Sequence, residues 1–354
     1  MYRRITKIVY LIVLSSFLYG VICGPIWAAD LPRVVIIATG GTIAMKIDPA
    51  TGGPVPALSG EDLVSAVPEL KKLAQIEVVN FSNIPSDYMD SERWINLSKK
   101  VDEVLADQGV TGVVITHGTD TLEGTAFFLD LTLESNKPVV CIGAQRSASE
   151  KDTDGPRNLL NAVKVVLTKE AVGKGVMVVL NHYINAAREV TKMHTSNVET
   201  FQSGIYGYLG YVDKDKVLFF HESLKRQKFR LPKKLPRVDL IPMYPGADGS
   251  YVKFAVDSGA VGLVIAAYGW GNVNEPMYEA IKYAIDKGVV VGISTRVCHG
   301  RVLPVYGFKG GGATLKKIGA VFCDDLQPWK ARTVLMLALT QTKKQGQLQA
   351  YFDK

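Results

Sequence analysis

From Arg33 onward the chain alternates short, compact, largely apolar runs with longer segments whose apolar residues recur at helical spacing. VVIIA (34–38), IEVVNF (76–81), PVVCIG (138–143) and GVMVVL (175–180) are runs of the first kind, as is Val113–Thr116. Compact apolar runs of this kind suit strands covered on both faces, and their alternation with helices predicts a parallel α/β sheet. Helices are predicted over 59–70, 91–108, 122–133 and 157–167. Ser59 and Asp62 are spaced as a capping box for the first, and Ser91 is expected to cap the second.

The pattern lapses between about Phe220 and Arg237, where HESLKRQKFRLPKKLPR holds seven Lys/Arg and no periodicity. This reads as a solvated interdomain connector. Beyond it, VDLIPMY, GLVIAAYG and VVVGIST read as strands, and PMYEAIKYAIDKG and QPWKARTVLMLALTQ as helices. The expected fold is therefore α/β with two domains. The larger, N-terminal one (30–219) has a mostly parallel sheet with helices on both faces; 220–237 is the linker; 238–354 is a smaller α/β domain.

The first 29 residues follow a different logic. Arg3, Arg4 and Lys7 precede an apolar run to Cys23 and then the small residues Ala28 and Ala29. That is the pattern of a cleaved signal peptide, and it predicts export to the periplasm. Without those three basic residues the net charge drops from +7 to +4. Outside the connector no basic block or aromatic-interleaved basic stripe is present, so nucleic acid is not an expected partner. Of the remaining cysteines, Cys141 sits in an apolar strand, where a buried thiol is expected. Whether Cys298 and Cys323 pair is open at this stage.

No phosphate-loop, dinucleotide, zinc-protease, CxxC or GxSxG signature occurs. What carries chemistry is the way two apolar strands stop: VVIIATGGTIA (34–44) and GVVITHGTDT (112–121) both run into glycines and threonines. Ligands of open parallel sheets bind beyond the carboxyl ends of the strands, which places Thr42, Thr119 and Asp120 at one edge. Gly40, Gly41 and Gly118 would let backbone approach a ligand closely, and the helix after GTDT offers unpaired N–H groups to an anion. The pocket suits a small amino-acid-like molecule. A threonine hydroxyl needs a base to become a nucleophile. His117 reads as an orienting residue and His182 and His194 as loop residues. That leaves lysine, and REVTKMHTSNVETF supplies Lys192.

The two strand ends, together with KPVVCIGAQR, DGPRNLLNAV, REVTK, YGWGNVNEP and PWKARTVLMLALTQT, resemble the bacterial type II L-asparaginases and glutaminase-asparaginases from about Leu31 to the end of the chain. The resemblance implies hydrolysis of the side-chain amide of asparagine to aspartate and ammonia, with no metal or organic cofactor. It makes Thr42 the nucleophile and Thr119, Asp120 and Lys192 a second catalytic cluster. Asp120 would also hold the substrate's α-amino group, and Ser86 its α-carboxylate. Asp87 falls where the family carries Gln or Glu. The implied assembly is a homotetramer of intimate dimers, with Asn274 donated to a neighbour's site. Two departures stand out: the lid, MKIDPATGGPVPALSGEDL (45–63), has no tyrosine, and the small domain lacks the glutamate partner of that tyrosine. Tyr306 is a candidate for replacing the lost hydroxyl. Glutamine, D-amino-acid amides, or binding with low turnover are the alternatives this leaves.

Overall fold

The computed structural model describes residues 31–353; the expected export signal lies outside them. Eight strands form the larger sheet: β1 (Arg33–Gly40), β2 (Gln75–Ile84), β3 (Val110–Thr116), β4 (Val139–Ile142), β5 (Val176–Leu180), β6 (Tyr183–Ala186), β7 (Gly210–Val212) and β8 (Val217–Phe219). Their order across the sheet is β2-β1-β3-β4-β5-β6-β7-β8. The first five are parallel, and β6 to β8 extend one side as an antiparallel meander. The direction reverses at the Asn181–His182 link, where both residues have positive φ, the conformation of a tight hairpin turn.

Strand β2, expected to be covered on both faces, is instead the edge strand, and none of its residues is fully buried. Helices on both faces explain the apolar runs of β1, β3, β4 and β5. These are α1 (Gly60–Ser65), α2 (Ser91–Ala106), α3 (Leu122–Thr132) and α4 (Gly155–Val166). Successive side chains of a strand point to opposite faces. Val34 and Ile36 of β1 accordingly pack in one core with Leu63 of α1 and Leu159 and Val163 of α4. Val35 and Ile37 pack in another with Leu97 and Val101 of α2 and Leu122 and Leu129 of α3. The capping box at Ser59 and Asp62 is present. The α2 cap is not Ser91: Asp90 accepts the Arg93 N–H at 2.9 Å, one residue earlier.

The smaller domain has a parallel sheet, β9 (Val238–Pro242), β10 (Gly262–Ala267), β11 (Val290–Thr295) and β12 (Val321–Phe322), in that order. Its helices are α5 (Ser250–Asp257), α6 (Glu275–Asp286), α7 (Gly312–Ile318), α8 (Pro328–Leu339) and α9 (Gln345–Gln349). Helix α8 is apolar almost all round because it is buried on all sides. It shares one core with Val264 of β10 and with Phe127, Phe128 and Leu131 of α3, so it joins the two domains. Cys298 is exposed, Cys323 is buried, and neither forms a disulfide.

Segment 220–237 has no regular element, but it is bound rather than solvated. Phe229 and Leu235 are buried in the core around α8. The Phe229 N–H donates to Leu131 O at 2.8 Å, Lys225 pairs with Asp324 at 2.8 Å, and Arg226 donates to Gly173 O. The basic composition concealed two apolar anchors. Phe229→Ala should therefore lower unfolding stability by about 3–5 kcal/mol, read by denaturant titration. A change within about 0.5 kcal/mol, usual for an exposed position, would restore the solvated connector.

Candidate active site

The chain leaves β1 toward β2 on one side and leaves β3 toward β4 on the other. The reversal opens a crevice at the carboxyl ends of β1 and β3, the usual ligand position in an open α/β sheet. Thr42 follows β1, Ser86 follows β2, and Thr119 and Asp120 follow β3. Register keeps the three ends level: Ala38 pairs with Thr116, and Gly40 with Ile84. Thr39 Oγ1 donates to Thr116 O at 2.8 Å, and Ser82 Oγ to Thr39 O at 2.9 Å.

The loops then touch through glycines. A Cβ on Gly41 would fall 2.2 Å from Gly118 Cα, and one on Gly118 would fall 2.6 Å from Ser86 Oγ. Gly41 also has φ +84°, which L side chains rarely adopt. Thr121 Oγ1 donates to Ser86 O at 2.8 Å and locks the third loop to the second. Ser86 is buried, Asp87 beside it is exposed, and Thr42 is half-buried at the start of a short 3-10 turn.

Lys192 arrives from 73 residues beyond Thr119. It lies in a two-strand hairpin, Thr191–Lys192 against Phe201–Gln202. Its Nζ donates to Thr119 Oγ1 at 2.8 Å and to Asp120 Oδ1 at 2.6 Å. The turn before it is anchored by the smaller domain. Lys330 of α8, fully buried, donates to Ala187 O, Arg188 O and Val190 O at 3.0, 2.7 and 2.6 Å. Burial pulls its ammonium down to about 8, opposed by the nearby Glu123 carboxylate. Arg188 pairs with Asp325 at 2.6 Å, and so does the Tyr206 hydroxyl at 2.5 Å.

Gln145, just beyond β4, was not singled out from sequence. Thr119 Oγ1 donates to its Oε1 at 3.0 Å. Its position one loop along the same sheet edge was the available signal. Tyr306 is not drawn into this cluster; its ring lies 6.0 Å from Trp270 and 5.7 Å from Phe308 in a half-exposed aromatic group. The lid folds as a small hairpin, Met45–Ile47 against Pro54–Pro56, tied to the 147–149 turn. Asn274 caps α6: its Oδ1 accepts the Met277 N–H at 3.0 Å and its Nδ2 donates to Ala247 O at 2.7 Å. Both polar ends are thus engaged within its own chain. Among the described residues no group of three or more His, Cys, Asp or Glu is placed to hold a metal ion.

With this geometry in view, the relationships of the chain are plain. Residues 33–225 match the family model described as asparaginase, N-terminal, and residues 237–352 the glutaminase/asparaginase C-terminal domain. The chain belongs to the asparaginase family. It is 40% identical over 334 residues to a probable periplasmic L-asparaginase of Haemophilus influenzae, covering 92% of this chain and 94% of that one. It is 38% identical over 336 residues to L-asparaginase 2 of Escherichia coli, covering 92% and 94%. A solved structure described as a probable cytoplasmic L-asparaginase from Campylobacter jejuni superposes with a TM-score of 0.83 at 40% identity, covering 91% of this chain and 99% of that one.

His117 is buried in the strand-end motif, and its bonds define its tautomer. Nδ1 lies 2.8 Å from Gly118 O, which can only accept, so Nδ1 carries the proton. Nε2 then accepts from Thr125 Oγ1 at 3.0 Å, and that oxygen in turn accepts from Trp94 Nε1 at 2.9 Å. The neutral ring fixes the Gly118 peptide between Gly41 and Ser86. Burial pulls its pKa from 6.5 down to about 4, against the opposing pull of the Gly118 bond. As pH falls through 6.5 the unfolded chain takes up a proton that the folded one refuses until about 4. Folding stability should therefore fall over that window, by up to about 3 kcal/mol. Denaturant unfolding at several pH values should show this slope, and His117→Gln should flatten it; an equal slope in both would show that other groups govern the acid response.

Proposed function

We propose that the protein is an amidohydrolase that converts L-asparagine to L-aspartate and ammonia through an ester on Thr42. The observation that carries this reading is the Lys192 Nζ shared between Thr119 and Asp120 at the sheet edge that also bears Thr42. Attack by Thr42 Oγ1 on the amide carbon forms the C–O bond, and its proton passes to the Thr119–Lys192 pair, with Lys192 in its neutral form. That proton then goes to the amide nitrogen as the C–N bond breaks and ammonia leaves. Water hydrolyses the ester by the same route and restores Thr42. Backbone N–H groups beside Thr42 and Thr119 stabilise the oxyanion, a contribution of about 3–4 kcal/mol for each well-placed donor.

In this reading Ser86 receives the α-carboxylate of the substrate, Asp120 the α-ammonium, and Asp87 lines the same end. Asn274 of a neighbouring copy completes the site in a homotetramer, and the functional division of the chain follows 30–219, 220–237 and 238–354. The basic, apolar, small-residue order of residues 1–29 and the relative named periplasmic support export to the periplasm.

Ammonia release by the purified protein should favour L-asparagine over L-glutamine and D-asparagine. It should fall at least about a thousandfold in both Thr42→Ala and Thr119→Ala, as losses of coupled catalytic groups do. Asparagine bound without ammonia release would make the protein a binder rather than a hydrolase. Preference for glutamine would move it to the broader amidases.

A further inference from the structure

We propose that the basic cleft between α2, the connector and α8 is a binding site for a small, multiply charged oxyanion, a phosphate or a polycarboxylate. The cleft has a volume of about 1090 Å³. Lys99 of α2, Lys233, Lys234 and Arg237 of the connector and Arg332 of α8 line it, and Glu92 is the one carboxylate among its lining residues. Low-dielectric walls bearing one sign of charge concentrate ions of the other sign.

The fold leaves most of these charges unused. Elsewhere in the connector, Lys225 and Arg226 pair with Asp324 and Asp130, and Lys228 donates to Asp130 O. Lys233, Lys234 and Lys99 are instead exposed and, among the described residues, in no ion pair. The segment that carries the two connector lysines is nonetheless fixed. Pro232 and Pro236 flank it, each with φ locked by its ring, and Leu235 beside the lysines is buried in the core around α8. Side chains on an anchored segment have less freedom to lose when a ligand binds.

Arg332 adds a directional element. It stands between the buried Ala331 and Thr333 on α8, and its own side chain is half-buried. A guanidinium has five N–H donors. The Nε–H goes to Val238 O at 2.6 Å, and the four on the Nη atoms have no protein acceptor among the described residues. Asp239, whose charge acts on Arg332, is held by Arg237 through Nε at 3.0 Å and Nη2 at 2.6 Å. A cation withdrawn from water without a partner is costly. The planar Nη pair fits a phosphate or carboxylate through two parallel bonds.

Titration calorimetry of the purified protein with pyrophosphate and with citrate, at an ionic strength held constant with sodium chloride, tests the site. At least one of them should bind saturably, and the tighter of the two tells a phosphate site from a polycarboxylate site. Lys233→Gln combined with Lys234→Gln removes two exposed charges without touching the core. It should weaken that binding at least about tenfold, the usual effect of losing charge-assisted hydrogen bonds. Arg332→Lys, which keeps the charge but not the fork, should weaken it as well. Ser86→Ala alters the catalytic crevice and should leave it unchanged. No saturable binding of either anion, binding indifferent to the double lysine substitution, or binding abolished by Ser86→Ala would each overturn the proposal.

Discussion

The site depends on one ion pair closing a long loop in sequence. Lys192 bridges Thr119 and Asp120, and nothing local to the hairpin would hold it there. Two contacts from the smaller domain hold the turn that precedes the hairpin. Lys330 satisfies three carbonyls of the preceding turn, and Arg188 in that turn reaches Asp325. Both Lys330 and Asp325 belong to the smaller domain. A buried ammonium is costly unless its donors are all used, and Lys330 uses its three on backbone oxygens. Within a single chain, the smaller domain therefore acts on the crevice indirectly, by holding the lysine that the larger domain's threonine requires.

The opposite wall of the crevice is built by close approach instead of charge. Gly41, Gly118 and Ser86 stand so near one another that a single added methyl group would collide. His117, neutral and buried, fixes the peptide between them through Gly118 O. The histidine in the strand-end motif is thus part of the scaffold. Two kinds of constraint, tight packing at the ends of β1 and β3 and ionic bridging from the hairpin, converge on Thr119.

The parts of this arrangement visible in sequence are those encoded within a few residues. Strands β1, β3, β4 and β5 were legible because two-faced burial leaves an uninterrupted apolar run, and the crevice was legible because both signature strands end in Gly and Thr. Lys192 was reached by elimination once no histidine suited the base, but as an isolated residue it reads as a surface lysine, and the family resemblance was needed to give it a role. Gln145 was missed because a single glutamine after a strand has no periodicity to mark it. Helices α5 and α7 were missed because they are short and begin at Gly249 and Gly311 without a side-chain cap. In 220–237 the many lysines and arginines concealed Phe229 and Leu235, and two of those charges, Lys225 and Arg226, are paired with Asp324 and Asp130, far away in sequence. Asn274 shows a further limit: its role as the α6 cap is legible in the chain, whereas a role in a neighbour's site depends on assembly.

Covalent chemistry at Thr42 is the central claim, and it can be observed directly. Mixing the purified protein with L-asparagine, quenching in acid within milliseconds and mapping the peptides by mass spectrometry would reveal any ester intermediate. The account predicts an aspartyl adduct on the peptide containing Thr42, formed before ammonia release reaches its steady rate. An adduct on the Thr119 peptide instead, or steady ammonia release with no adduct on either threonine, would contradict it.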